Sequence, residues 1–103
     1  MDQSDLHIED FHKDCVRILS ALYQAFPRPL TLYVEDISGP DRVDEFGLHS
    51  TRHEACLAAM LWLAEEGWIR YADTVRREAI DQAVLTARTF AALVQPVRAT
   101  PVP

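Results

Sequence analysis

Glycine and cysteine are scarce in this chain of 103 residues, which has three glycines and two cysteines. So few glycines leave no glycine-rich loop to cradle phosphate, and two cysteines do not make a disulfide framework. No apolar run approaches the length of a membrane span, so no membrane partner is expected. Ten Lys and Arg face sixteen Asp and Glu, a formal net charge of -6. Since duplex-binding domains normally carry a basic footprint, this balance disfavours DNA as a partner.

Length and composition favour one globular domain. Apolar residues make up 49% of the chain, which is enough for a single core and argues against global disorder. The first ten residues have neither the basic nor the apolar region of a secretory signal, so we expect a cytoplasmic protein. We place the domain at residues 1–95 and expect residues 96–103, which include three prolines, to form a disordered tail.

An N-terminal helix that begins near Ser4 or Asp5 is predicted from apolar residues at helical spacing. Pro27 and Pro29 stop this helix. The next segment leaves two interpretations open, because residues 30–34 alternate like a strand while residues 34–38 could form one turn of a second helix. The apolar stripe of the first helix consists of Phe11, Cys15, Ile18, Leu19, Leu22 and Phe26.

A longer helix is predicted over residues 51–66. Thr51, with Glu54 three residues later, has the pattern of a capping box, and Ser50 is the competing cap. Gly67 follows at the point where a left-handed residue would end the helix without strain. The pattern therefore predicts both ends of this helix.

An antiparallel hairpin is predicted over residues 69–86. Two strand-like runs lie on either side of Arg76, Arg77 and Glu78, which we place at the tip of the hairpin. Thr86 can cap a final helix. The second half of the chain is therefore expected to run helix, hairpin, helix.

Two short phrases give this order of elements a family resemblance. Leu63, Gly67, Trp68 and Ile69 form the first phrase, and Leu85 and Thr86 form the second. They resemble the end of the recognition helix and the close of the wing in winged helix-turn-helix proteins of the broad bacterial MarR and PadR type. The resemblance extends loosely over residues 5–95 and departs in the connector, which holds an acidic loop instead of a tidy small second helix. It implies an α+β fold with three main helices, a two-stranded wing and a short C-terminal helix.

The face of the 51–66 helix that would read DNA is apolar in this chain. Base readout needs polar and basic side chains, whereas this face presents Leu57, Leu61 and Trp62. Exposed apolar patches of this kind generally mark a partner surface. The alternative is that the helix is buried on both sides within its own monomer. The opposite stripe, expected in the core, consists of Cys56, Ala59, Met60 and Leu63.

Four arginines are the candidates for nucleic-acid contact. Arg70, Arg76 and Arg77 would lie along the wing, and Arg52 would lie near the start of the helix. They could neutralise about four phosphates, which would give modest and strongly salt-dependent binding. The alternative is that they form an ordinary solvated face.

Histidines and cysteines at helical spacing offer a possible set of zinc ligands. His12 and Cys15, like His53 and Cys56, are three residues apart on predicted helices, and His49 lies one turn before His53. Both cysteines fall on apolar stripes, where a buried thiol needs no further explanation. We therefore expect no metal and no cofactor. The sequence also has no recognisable nucleophile turn, so an enzyme is not expected.

Two hypotheses about function follow. The first is a non-enzymatic regulatory or adaptor protein that forms a homodimer or binds another protein through the apolar helix face. The alternative is a DNA-binding transcriptional regulator that contacts the phosphate backbone through a basic wing. Fold analogy favours the second hypothesis, whereas net charge and the chemistry of the helix face favour the first.

Overall fold

The computed structural model describes residues 5–98, with side chains up to residue 94. Four helices and four short strands lie within this part of the chain. In order they are α1 (Leu6–Ala25), β1 (Leu30–Tyr33), α2 (Val34–Ser38), α3 (Thr51–Glu65), β2 (Ile69–Arg70), β3 (Asp73–Val75), β4 (Ala79–Leu85) and α4 (Ala87–Arg98). The architecture is α+β, as predicted, and is compatible with a winged-helix-like layout. None of these helices is long and apolar enough to cross a membrane.

Strand β4 lies at the centre of a small antiparallel sheet. It pairs with β1 on one side and with β2 and β3 on the other. One register runs from the pair Ile69 and Leu85 to the pair Val75 and Ala79. The hairpin therefore turns about Arg77, and the hairpin predicted over residues 69–86 is confirmed.

The connector contains both of the elements that the sequence left open. Strand β1 ends at Tyr33, and the single turn of α2 begins at the next residue, Val34. The Val34 N–H donates a hydrogen bond to the Glu78 carbonyl (2.9 Å), which joins the start of α2 to the turn of the hairpin. Helix α2 packs against α1 and α3, and residues 39–50 lead from α2 to α3.

The core lies between α1, α2, α3 and the sheet. The stripe of α3 that the sequence placed in the core is buried in full, and Ile18 and Leu22 are the fully buried residues of the α1 stripe. Phe11, Cys15 and the other members of the α1 stripe are half-buried. Burying these side chains is the main stabilising term of a domain of this size.

Helix α3 begins at the cap that the sequence ranked second. Ser50 has the extended backbone of an N-cap, and its hydroxyl accepts a hydrogen bond from the His53 N–H (3.1 Å). Thr51 is the first helical residue. The capping box predicted from Thr51 and Glu54 is wrong, because the carboxylate of Glu54 instead pairs with Arg77.

Gly67 ends α3 in a Schellman motif. This motif requires a left-handed residue just after the helix, and the φ of Gly67 is 81°. The Gly67 N–H bonds to the carbonyl of Ala64 (3.1 Å), and the Trp68 N–H bonds to that of Leu63 (2.9 Å). The Thr86 hydroxyl then donates to the Gly67 carbonyl (2.9 Å). The two sequence phrases that carried the family resemblance are therefore bonded to each other.

Helix α4 extends past residue 95, where the sequence analysis placed the end of the domain. Its backbone is helical to Arg98, and the domain boundary and the disordered tail stay predictions. The rest of the predicted tail, residues 99–103, lies outside the described residues.

Replacing Gly67 tests the left-handed end of α3. In Gly67→Ala the new methyl group would lie 3.7 Å from the nearest atom, on Arg88, so the cost comes from the backbone and not from a clash. We expect urea unfolding to show a loss of about 1–2 kcal/mol. Gly67→Asn should lose less, because asparagine tolerates the left-handed region. Equal stability of all three proteins would contradict this assignment.

Candidate functional site

The three residues expected to form a contact surface have different environments. Leu57 is buried, with 3% of its surface exposed, so its assignment to an exposed patch is wrong. The reason is that α3 packs against both α1 and α2. The alternative of a helix buried on both sides therefore holds for Leu57 but not for Trp62. Leu61 is half-buried against the core, and only Trp62, at 43%, is exposed.

Trp62 belongs to an apolar surface centred on α1. Its ring lies edge-to-face against that of Phe11, with the centroids 5.1 Å apart. A depression of about 230 Å³ lies beside this pair, and a second of about 410 Å³ lies between α1 and α4. Leu19 lines both, so they form one continuous region, which we call the apolar α1 surface. Its residues are Phe11, His12, Cys15, Val16, Leu19, Ser20, Tyr23, Gln24, Trp62, Leu63, Trp68 and Leu93.

The apolar α1 surface contains no Asp, Glu, Lys or Arg. This absence is unusual for this chain, in which a quarter of the residues are charged. At the α4 end, the ring of Phe90 stacks on that of Phe26 at 4.1 Å and on that of Tyr23 at 6.1 Å. These contacts hold the first turns of α4 against the end of α1, while Leu93 stays partly exposed.

Two of the four arginines expected to contact nucleic acid are paired within the chain. The guanidinium of Arg52 binds both oxygens of the buried Asp14, at 2.8 and 2.5 Å, and thereby joins α3 to α1. The guanidinium of Arg77 binds the carboxylate of Glu54 through Nε and Nη2. Each pair neutralises a cation that the sequence alone left available for phosphate.

The other two arginines, Arg70 and Arg76, are exposed. Neither forms a salt bridge with any of the described residues. Arg76 has a left-handed φ of 54° at the turn of the hairpin. Two cations on a chain of net charge -6 form a much smaller basic footprint than the four predicted.

A cluster of one carboxylate and two imidazoles lies beside the turn of the hairpin. Asp41 comes from the connector, His49 from the end of that connector, and His53 from the first turn of α3. One potential ligand atom of each residue lies within 4.8 Å of the others. The two imidazole rings are stacked and nearly parallel, with centroids 3.8 Å apart. We call these three residues the His–Asp cluster.

Asp41 is the centre of this cluster. Its carboxylate accepts hydrogen bonds from the Ser50 hydroxyl (2.5 Å), the His49 Nδ1–H (2.8 Å) and the Ser50 N–H (3.2 Å). These donors, the Ser50 hydroxyl first, lower the pKa of Asp41 from 3.8 to about 2, against the opposing effect of burial. Asp41 thus carries a negative charge beside two imidazoles, and it also holds the serine that caps α3.

The zinc ligands considered from the sequence are not brought together as a set. His49 and His53 are neighbours, but among the described residues no cluster joins them to His12, Cys15 or Cys56. Burial raises the pKa of the Cys56 thiol to about 11 and also raises that of Cys15. Both cysteines are unpaired thiols.

Asp41 is the member of the cluster that sequence reasoning missed. In the sequence, Asp41 is one of several acidic residues in the connector. It lies eight residues before His49 and twelve before His53. A carboxylate shortly before two histidines one turn apart is a usable signal for such a cluster. It went unused because nothing in the sequence shows that residues 39–50 fold back on α3.

Comparisons of this chain with protein-family models, with curated proteins and with solved structures find no match.

The buried pair of Asp14 and Arg52 makes a prediction about stability. Arg52→Met leaves the carboxylate of Asp14 buried without its partner, which should lower the free energy of unfolding by about 3 kcal/mol or more. The double variant Asp14→Leu with Arg52→Met should recover most of this loss. Arg77→Met is the matched control, and because its pair is exposed it should have a far smaller effect. Urea unfolding that ranks the Arg77 variant below the Arg52 variant in stability would contradict this prediction.

The lowered pKa of Asp41 predicts a dependence of stability on pH. A carboxylate whose pKa is lower in the folded state stabilises the fold fully above its ordinary pKa of 3.8, and this contribution is lost as the pH falls through about 2. Asp41→Asn removes the contribution, so its stability should fall less steeply than that of the wild type between pH 4 and 2. Urea unfolding at stepped pH measures both slopes. Glu65→Gln, at an exposed position of α3, is the control and should keep the wild-type slope.

Proposed function

We propose that this chain is a non-enzymatic, cytoplasmic winged-helix module with a regulatory or adaptor role, which acts by protein association. The partner that we propose is a second copy of the same chain, bound through the apolar α1 surface. The observation that carries this proposal is the continuous, uncharged region around Leu19.

The order and pairing of the elements support the winged-helix assignment. A helix, a short strand and two helices precede a hairpin, and the first strand pairs with the returning strand β4 of that hairpin. In this assignment α3 takes the place of the recognition helix and residues 69–85 form the wing. The bonded phrases at Gly67 and Thr86 support the same assignment.

The chemistry of the apolar α1 surface supports association between two copies. Charged residues are depleted at the centres of protein interfaces, while tryptophan and tyrosine are enriched there. Two chains of net charge -6 repel each other at long range, and a contact region free of carboxylates adds no local repulsion to this. The apolar α1 surface is such a region, and a symmetric dimer places the same surface on both sides of the contact.

The energetics suit a dimer of moderate affinity. Five large side chains of this surface are between one third and one half exposed, so roughly 1 kcal/mol is available from each on full burial. Two copies together supply about 10 kcal/mol, against an association cost of about 4–15 kcal/mol. At the lower end of that cost the net is about -6 kcal/mol, which corresponds to a Kd of roughly tens of micromolar and places the dimer in an accessible range of protein concentration. The five residues are Val16, Tyr23, Trp62, Trp68 and Leu93.

DNA binding is the alternative hypothesis, with the exposed Arg70 and Arg76 as its cations. Since Arg52 and Arg77 are paired within the chain, such binding would rest on about two phosphate contacts and would be weak, salt-sensitive and tolerant of sequence. Specific binding of a duplex at nanomolar concentration and physiological salt would favour this alternative over our proposal.

Charge introduced into the apolar α1 surface tests the proposal. Light scattering of the wild type should give a mass that rises with concentration towards twice the monomer's 11.7 kDa. Trp62→Glu and Leu93→Glu each place a carboxylate at the contact and should keep the protein monomeric. Both positions are partly exposed, so circular dichroism should show that the monomers stay folded.

Phe46→Glu is the matched control for these variants. Among the residues whose side chains the structure describes, Phe46 is the most exposed large apolar one, at 78%, but it lies in the connector beside Asp44 and Glu45. The mass of this variant should match that of the wild type. A wild type that stays monomeric at millimolar concentration, or folded Trp62 and Leu93 variants with the wild-type mass, would refute the proposal.

A further inference from the structure

We propose that the His–Asp cluster binds a zinc ion through Asp41, His49 and His53. The three residues bring two imidazole nitrogens and one carboxylate oxygen together beside the turn of the hairpin. This site is separate from the apolar α1 surface and does not depend on the proposed function.

The hydrogen bond of His53 sets its ring in the form that binds metals. Nε2 lies 2.8 Å from the carbonyl oxygen of Arg77, and since a carbonyl oxygen only accepts, Nε2 carries the proton. The lone pair of the neutral ring is then on Nδ1. Metal-binding histidines usually donate their second N–H in this way, to a backbone carbonyl or a carboxylate, which fixes the tautomer and the orientation of the ring.

The Nδ1 atom of His53 is buried and has no hydrogen-bond partner among the described residues. It faces the Oδ2 atom of Asp41 at 3.6 Å, which is too long for a hydrogen bond. A lone pair and a carboxylate oxygen at this distance repel each other unless a cation lies between them. Two ligands of one tetrahedral zinc ion, with bonds of about 2.0–2.1 Å, lie about 3.3 Å apart, which is close to the observed separation.

His49 completes the site after a local rearrangement. Its Nδ1–H now donates to Asp41 at 2.8 Å, and its ring lies parallel to that of His53. To bind the same ion through Nδ1, His49 must carry its one ring proton on Nε2 instead of Nδ1 and turn its ring out of the stack. It lies outside helix α3, at the end of the connector, and its Nε2 lies 3.7 Å from a carboxylate oxygen of Glu78, which can accept a hydrogen bond from the turned ring.

The donor set selects the class of metal. Imidazole nitrogen suits zinc and its neighbours among the transition metals, whereas calcium and magnesium prefer oxygen ligands alone. Three protein ligands leave the fourth tetrahedral position for water. The ion would tie the connector to the first turn of α3, and through the His53 bond it would fix that turn against the hairpin.

Zinc titration of the tag-free, full-length protein by calorimetry tests the site. The wild type should bind one equivalent. Asp41→Asn and His49→Gln each remove one ligand and should weaken binding by a factor of ten or more. His7→Gln, at an exposed histidine of α1 outside the apolar α1 surface, is the matched control and should bind zinc like the wild type. Circular dichroism follows the fold, and because Asp41 also supports the cap of α3, His49→Gln decides the test if Asp41→Asn is unfolded.

Cobalt separates this site from one that uses the cysteines. Cobalt bound by nitrogen and oxygen ligands should give visible bands without the near-ultraviolet charge-transfer absorption of a cobalt–thiolate bond. The proposal is overturned if the wild type binds no zinc, if the folded His49→Gln protein binds zinc as tightly as the His7→Gln control, or if the thiolate band appears.

Discussion

The hydrogen bond from the imidazole of His53 to the carbonyl of Arg77 is the contact on which the arrangement around the hairpin depends. It joins the first turn of α3 to the turn of the hairpin. Because the imidazole of His53 is buried, an unpaired ring N–H would be costly there. With it in place, Arg77 can reach Glu54, and the neighbouring Glu78 carbonyl meets the start of α2 at Val34. This bond therefore lies where the hairpin, α2 and α3 meet. It also leaves the second ring nitrogen of His53, Nδ1, facing Asp41.

Local signals predicted the second half of the fold well. Gly67 and the alternation around Arg77 depend on short-range backbone preferences, which act the same way in most contexts. The choice between Ser50 and Thr51 as the cap was not decided locally, because Asp41 holds the Ser50 hydroxyl from the connector. The prediction that Leu57 is exposed was wrong for a related reason. Which face of a helix is buried depends on its neighbours, and the sequence does not show that α2 covers α3.

The candidate sites were harder to predict, because they depend on pairs of residues that are distant in sequence. Arg52 looks like a surface cation until α1 brings the buried Asp14 against it, across 38 residues. Arg77 is likewise paired with Glu54, 23 residues away. A single sequence gives the types of charge on each helix but not their partners. The four arginines predicted to contact nucleic acid therefore lose two of their number, Arg52 and Arg77, to internal pairs. Trp62 lies against Phe11 of α1, a contact that periodicity alone does not predict.

Helix α3 carries both proposed sites, but at opposite ends. His53 and Trp62 are nine residues apart on one helix, which corresponds to about 14 Å along its axis. At that distance an ion bound at the first turn does not touch the apolar α1 surface, and the side chains exchanged to test one site leave the other intact. An influence of zinc on dimerisation would have to pass through the packing of α3 against α1, where the Arg52 and Asp14 pair lies one residue from His53. That pair holds α3 in one position against α1 at the metal end. Coupling between two sites needs an element that can take two arrangements, so we expect zinc binding and dimerisation to be thermodynamically independent as long as the pair is intact.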